Sequence, residues 1–107
     1  ALMQVWRGYA FGVSSVFSIG TTNQTPQTIT VPGNSSISVQ VVSSNAVANA
    51  YAMPAGWTAR GVVTANRLLM AFERDAKVAA GSLPGVTMTR TAGTSNGAGL
   101  QYALSPI

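Results

Sequence analysis

Few side chains in this 107-residue chain could do acid–base or nucleophilic chemistry. It holds one Glu (Glu73), one Asp (Asp75) and one Lys (Lys77), with no His and no Cys. General acid–base catalysis needs titratable groups that converge on one substrate atom. Glu73 and Asp75 are two positions apart, and on a helix such residues point to nearly opposite sides. They read as part of a solvated charged face. A nucleophilic hydroxyl needs a base, and only a Ser–Lys pair through Lys77 could supply one. The absence of Cys and His removes disulfides and the usual zinc ligand sets. The chain is expected to be non-enzymatic, with no catalytic, metal-binding or cofactor-binding residues.

The glycine-rich stretch Gly93-Thr94-Ser95-Asn96-Gly97-Ala98-Gly99 resembles a phosphate cradle only in composition. A P-loop needs Lys and then Ser or Thr after its last Gly, and here Leu100 and Gln101 follow. It reads as a surface loop. Asn23-Gln24-Thr25 and Asn34-Ser35-Ser36 match the glycosylation sequon, about as often as chance gives in so Ser- and Thr-rich a chain. Trp6, Tyr9, Phe11, Trp57 and Tyr102 could stack on sugars or bases, but large aromatics in a small domain mostly build the core.

Composition says more than any motif. Only 8 of 107 residues are charged, against 33 Ser, Thr, Asn and Gln and 16 Ala. Soluble domains carry roughly 25% charged residues. Low charge with 47% hydrophobic residues is the reverse of a disordered composition, and the length suits one domain, 1–107. The surface must then be largely neutral, with little repulsion to keep copies apart. The net charge of +4 could suggest nucleic acid, but Arg7, Arg60, Arg67, Arg74, Lys77 and Arg90 are dispersed. Scattered cations neutralise few phosphates, which argues against a nucleic-acid partner. The most apolar stretch, residues 1–19, contains Gln4, Arg7, two Gly and three Ser, so no membrane span is expected.

The elements that would position these residues follow from periodicity. In the first segment Val5, Arg7, Tyr9, Phe11 and Val13 alternate with Trp6, Gly8, Ala10 and Gly12, which predicts a strand with one small-residue face. Residues 28–31, the turn Pro32-Gly33-Asn34, and Ile37, Val39 and Val41 alternating with Ser36, Ser38 and Gln40 predict a hairpin with one buried and one polar face. Residues 43–54 fit either a strand or an Ala-rich short helix, with a slight preference for the helix. Residues 57–63 predict a strand. Residues 65–80 predict the principal helix: Thr64 could cap it, Leu68, Leu69, Phe72, Ala76 and Ala79 form a stripe, and Gly81 could end it. Five of the eight charges fall there, with Glu73 four before Lys77 as a helical pair. Residues 86–91 alternate again, and 100–104 predict a last strand. The expected fold is α+β but mainly β, a small antiparallel β-sandwich or barrel with one principal helix at about 65–80.

Ser43-Ser44-Asn45-Ala46-Val47-Ala48-Asn49-Ala50 resembles a stretch that recurs in bacteriophage tail-fibre and related virion proteins. There it usually continues into Leu, whereas Tyr51 follows here. The likeness covers eight of 107 residues and transfers no binding residue. It implies a virion structural protein, a small capsid-associated or tail subunit, with itself and other virion subunits as partners. Composition leads the same way, to a chain that works assembled. The candidate interface is the small face of the first strand, with Gly8, Ala10 and Gly12 beside Trp6 as an aromatic anchor. A secreted or pilus-like carbohydrate-binding module at the cell surface is the alternative, and a small nucleic-acid-binding domain the third reading.

Overall fold

Strands, not helices, organise this chain. The computed structural model describes residues 9–18, 23–45, 50–64, 67–93 and 96–106, and among these there are nine strands and no helix. They are β1 (Tyr9–Ser18), β2 (Ile29–Val31), β3 (Ile37–Ser44), β4 (Ala50–Ala52), β5 (Trp57–Val63), β6 (Leu68–Arg74), β7 (Gly81–Leu83), β8 (Thr89–Ala92) and β9 (Gly97–Pro106). Five form one antiparallel sheet in the order β1-β9-β3-β6-β5. The pairs β2–β7 and β4–β8 make two separate antiparallel ribbons.

The ribbons pack on one face of the large sheet. Val42, Leu68 and Phe72 from the sheet meet Tyr51 of β4 and Met88, with Met53, Trp57 and Met70 at the margin. Further along, Ala103 of β9 meets Ile29 and Val31 of β2, together with Val78 and Leu83. On the opposite face of the sheet Ile37, Val39 and Leu104 cluster with Val41 and Tyr102. Burial of these side chains is the main stabilising term of a domain this small.

The principal helix expected at 65–80 is a strand in its described core. Leu68–Arg74 pairs with β3 on one side and β5 on the other. The run Leu68-Leu69-Met70-Ala71-Phe72 is apolar at every position, so it satisfies a helical stripe and a strand buried on both faces equally well. Two flanking strands decide between them, and helix propensity is a weak prior against that pairing. Residues 65–66 lie outside the described set. Gly81 caps no helix; it opens β7 with a φ of 117°. The lean towards a short helix in 43–54 also fails where it can be checked, since β3 runs to Ser44 and Ala50–Ala52 is strand. Residues 46–49 lie outside the described set.

The expected hairpin is also corrected. Both strands exist, but β2 pairs with β7 and β3 with β9 and β6. The Pro32-Gly33-Asn34 corner carries the chain from a ribbon to the large sheet. It is tied to β9, because the Gly33 N–H donates to Ser105 Oγ at 2.9 Å and the Ser36 and Ser105 hydroxyls lie 2.5 Å apart. Nor is the Ser36, Ser38, Gln40 face solvated: all three are buried.

Candidate functional site

The carboxylates lie at the β5–β6 side of the sheet and are occupied by neighbours. Thr58 stands opposite Glu73 in the ladder. Glu73 Oε1 pairs with Arg60 Nε at 3.4 Å, and Thr58 Oγ1 donates to Asp75 Oδ1 at 2.5 Å. The Asp75 N–H donates to the Gly56 carbonyl at 2.8 Å, closing the β5–β6 end. The helical Glu73–Lys77 pair does not form, because Glu73 is on a strand and takes Arg60 instead. This arrangement staples β5 to β6.

Each described arginine is likewise engaged locally. Arg74 lies over the Trp57 ring at 5.2 Å, and Arg90 over Tyr51 at 5.3 Å with its Nη2 donating to the Tyr51 hydroxyl at 2.9 Å. Arg67 Nη1 donates to Asn45 Oδ1 at 2.7 Å. These contacts spread the cations over β5, β6, β8 and one end of the sheet.

At that end is a cavity of about 160 Å³ lined by Ser43, Ser44, Asn45, Arg67, Asn96, Gly97 and Ala98. Ser44 Oγ and the Asn45 N–H both donate to the Asn96 carbonyl, at 3.0 and 3.2 Å. The cavity therefore joins the start of the Ser43–Ala50 segment to the glycine-rich stretch. The last part of that stretch is not loop, since β9 begins at Gly97. Gly97 and Gly99 are there for close packing: a Cβ on Gly97 would sit 2.5 Å from the Tyr51 hydroxyl, and one on Gly99 2.8 Å from Met88 Cε. Asn45, Arg67 and Asn96 carry no local pattern that would have grouped them.

Sequence reasoning also missed the buried glutamines. Gln40 and Gln101 stand opposite each other on β3 and β9, 0% and 1% exposed. Gln40 Nε2 donates to the Val86 carbonyl and Gln40 Oε1 accepts from the Val86 N–H, both at 2.7 Å. Gln101 Nε2 donates to the carbonyls of Gln27 and Leu83 at 2.7 and 3.0 Å. These amides give backbone groups of Gln27, Leu83 and Val86 partners that no ladder provides. Gln24 is as deeply buried, yet neither of its amide atoms has a partner among the described residues.

Of the predicted interface, Trp6 and Gly8 lie outside the described residues. Ala10 and Gly12 lie on β1, opposite Ser105 and Ala103 of β9. β1 is an outermost strand. Its ten residues pair with β9 without a bulge, and no described strand pairs with its other side. No family model matches this sequence, and no match was found among curated proteins or solved structures.

Proposed function

We propose that the protein is a non-enzymatic structural subunit of a virion, a small capsid-associated or tail component of a bacteriophage with a sandwich-like β fold. It works by self-assembly and by docking on other virion subunits. The observation that carries this reading is β1: ten residues without a charge or a proline at the margin of a sheet, in a chain with eight charges in all. Such an edge is a template for another strand, and a neutral surface does little to repel it. The Ser43–Ala50 likeness to virion proteins supports the same reading. Co-sedimentation with particles, together with native mass, tests it. A purified chain that stays monomeric at high concentration and never accompanies a particle would defeat it.

No hydrolase or transferase activity is expected, because Glu73 and Asp75 serve the β5–β6 staple. A turnover abolished by Glu73→Gln with folding intact would show otherwise. The Ser- and Asn-lined cavity beside Arg67 favours a second reading, a secreted or surface carbohydrate-binding module. Glycan-array binding lost in Arg67→Ala would move the assignment there. Binding to DNA or RNA that falls steeply with salt would favour the third.

A further inference from the structure

One end of the large sheet gathers positive charge that the chain has no acid to balance. Ser44 of β3 stands there opposite Leu68 of β6 and Gly97 of β9, beside the cavity of about 160 Å³. Arg67 lines that cavity, and its Nη1 donates to Asn45 Oδ1. A guanidinium carries five N–H donors, and this is the one Arg67 contact made among the described residues. A second guanidinium lies behind the cavity wall. A Cβ on the lining residue Gly97 would stand 2.5 Å from the Tyr51 hydroxyl, which accepts from Arg90 Nη2 at 2.9 Å. Arg90 Nε and Nη1 are buried without a partner among the described residues. So are both amide atoms of Gln24, whose Nε2 would be 3.5 Å from the same Cβ.

No carboxylate answers these two cations. Glu73 and Asp75 are the only side-chain carboxylates in the whole sequence, so residues outside the described set cannot supply another. Both are held at the β5–β6 end. Glu73 is five residues along β6 from Leu68, about 17 Å at the rise of a strand. That is roughly twice the screening length of about 8 Å in physiological salt. A guanidinium buried without a counter-ion is costly, and arginine does not escape the cost by losing its proton. An anion from outside relieves it. We infer that the cavity is a binding site for a small oxyanion, a phosphate or carboxylate group. The Arg67 guanidinium and the Ser and Asn groups around it hold the anion, and the charge of Arg90 behind the wall attracts it. A guanidinium fork matches two oxygens of such a group. A space of ~15 Å³ already admits one water, so about 160 Å³ admits a phosphate. The inference needs neither a second copy nor a sugar, and it stands apart from the readings above.

The test titrates the full chain with sodium phosphate, sodium acetate and, as a control, sodium chloride, at constant ionic strength so that general screening is fixed. Backbone amide shifts in NMR locate the binding. Phosphate or acetate should move the amides of Ser43, Ser44, Asn45, Asn96, Gly97 and Ala98 saturably, and chloride should not. The tighter of the two names the group, phosphate for phosphoryl ligands and acetate for carboxylates. Arg67→Gln should weaken binding at least about tenfold. Arg67→Lys, which keeps the charge and loses the fork, should recover part of that loss. Arg90→Met, in a chain shown to fold by its amide dispersion, should weaken binding as well, although Arg90 does not line the cavity. Arg60→Gln removes an equal charge beside Glu73 and should leave the affinity unchanged. Equal losses from Arg67→Gln and Arg60→Gln would reduce the effect to net charge and overturn the site. So would unchanged affinity in both Arg67→Gln and Arg90→Met, or no saturation up to about 0.1 M anion.

Discussion

β1 and β5 border the same sheet, yet they are built on different terms. β5 is fastened by side chains: Arg60 to Glu73, Thr58 to Asp75 and Trp57 under Arg74. Arg60 sits at its bulge and pairs with Glu73, and the bulge interrupts the regular register with β6. β1 keeps ten regular pairs with β9 and carries none of the chain's eight charges. Nearly all the electrostatic resource of this molecule is therefore spent away from β1. The contrast teaches that a chain poor in charge can still concentrate its charged contacts at one margin of a sheet and leave the other margin without any of its own.

The largest expected effect probes what both margins depend on. β3 links β9 and β1 on one side to β6 and β5 on the other, and Gln40 at its centre holds the Val86 backbone by two hydrogen bonds. Gln40→Met should cost about 2–3 kcal/mol in denaturant unfolding, since both Val86 groups lose their partner. Hydrogen exchange should quicken at both edges alike; loosening confined to β5 would show that the two halves are independent.

Next comes the edge comparison itself. Ser15→Lys places a cation on β1, and should weaken self-association about tenfold, equal to about 1.4 kcal/mol. Val62→Lys on β5, at a residue already 52% exposed, should leave association unchanged in sedimentation equilibrium. Equal losses from the two would erase the distinction drawn between the edges.

A smaller effect lies under β9, near the β1 side. Gln24 packs by Gly97 and Gly99 with its amide unpartnered among the described residues, in contrast to Gln40. Gln24→Met should raise the unfolding free energy by about 1 kcal/mol, because an unpaired buried amide is replaced by an apolar group of similar shape. A loss of similar size would mean that the amide is satisfied after all.

The smallest effect concerns the β5 guard. Arg60 is half exposed, so Arg60→Ala should cost about 0.5 kcal/mol or less in stability. The informative variant is Arg60→Val, which keeps β-propensity and removes the charge. Light scattering should then reveal assemblies larger than those of the unaltered chain, as β5 gains some of the openness of β1. Unchanged particle size would show that the bulge alone closes β5.

Alternation located several strands, though the stretch read at 86–91 is strand only over Thr89–Ala92. Residues 57–63 coincide with β5, and the strand read from the alternation up to Val13 is seen from Tyr9 and extends to Ser18. Legibility failed where neither face is fully exposed. Leu68-Leu69-Met70-Ala71-Phe72 shows no period of two: Leu68, Ala71 and Phe72 are buried and Leu69 and Met70 half-buried, so neither face of β6 is open to solvent enough to call for polar residues. Ser36, Ser38 and Gln40 misled in the opposite sense, since polar residues at alternate positions look like a wet face until their partners are known. The glutamines could have been flagged only by asking what pairs with loop backbone, and Val86 is 46 residues from Gln40. The site fared similarly: pattern alone puts Ala10 and Gly12 on a strand, but nothing local indicates that this strand stands at the margin of the sheet.

What the sequence determined by itself is chemical. Two carboxylates, no His and no Cys narrow the reactions open to this chain, and eight charges ensure that most of its surface is neutral whatever its fold. Those properties depend on composition, which folding does not alter. Which strands pair, which polar groups are buried and which strands stand at the margins of the described sheet were decided only by tertiary structure. The same apolar run can serve a helix or a strand, and the same turn can join a hairpin or a change of layer. The choice is made by long-range backbone hydrogen bonds and by side chains such as Ser105 and Gln101, distant in sequence from the groups they satisfy.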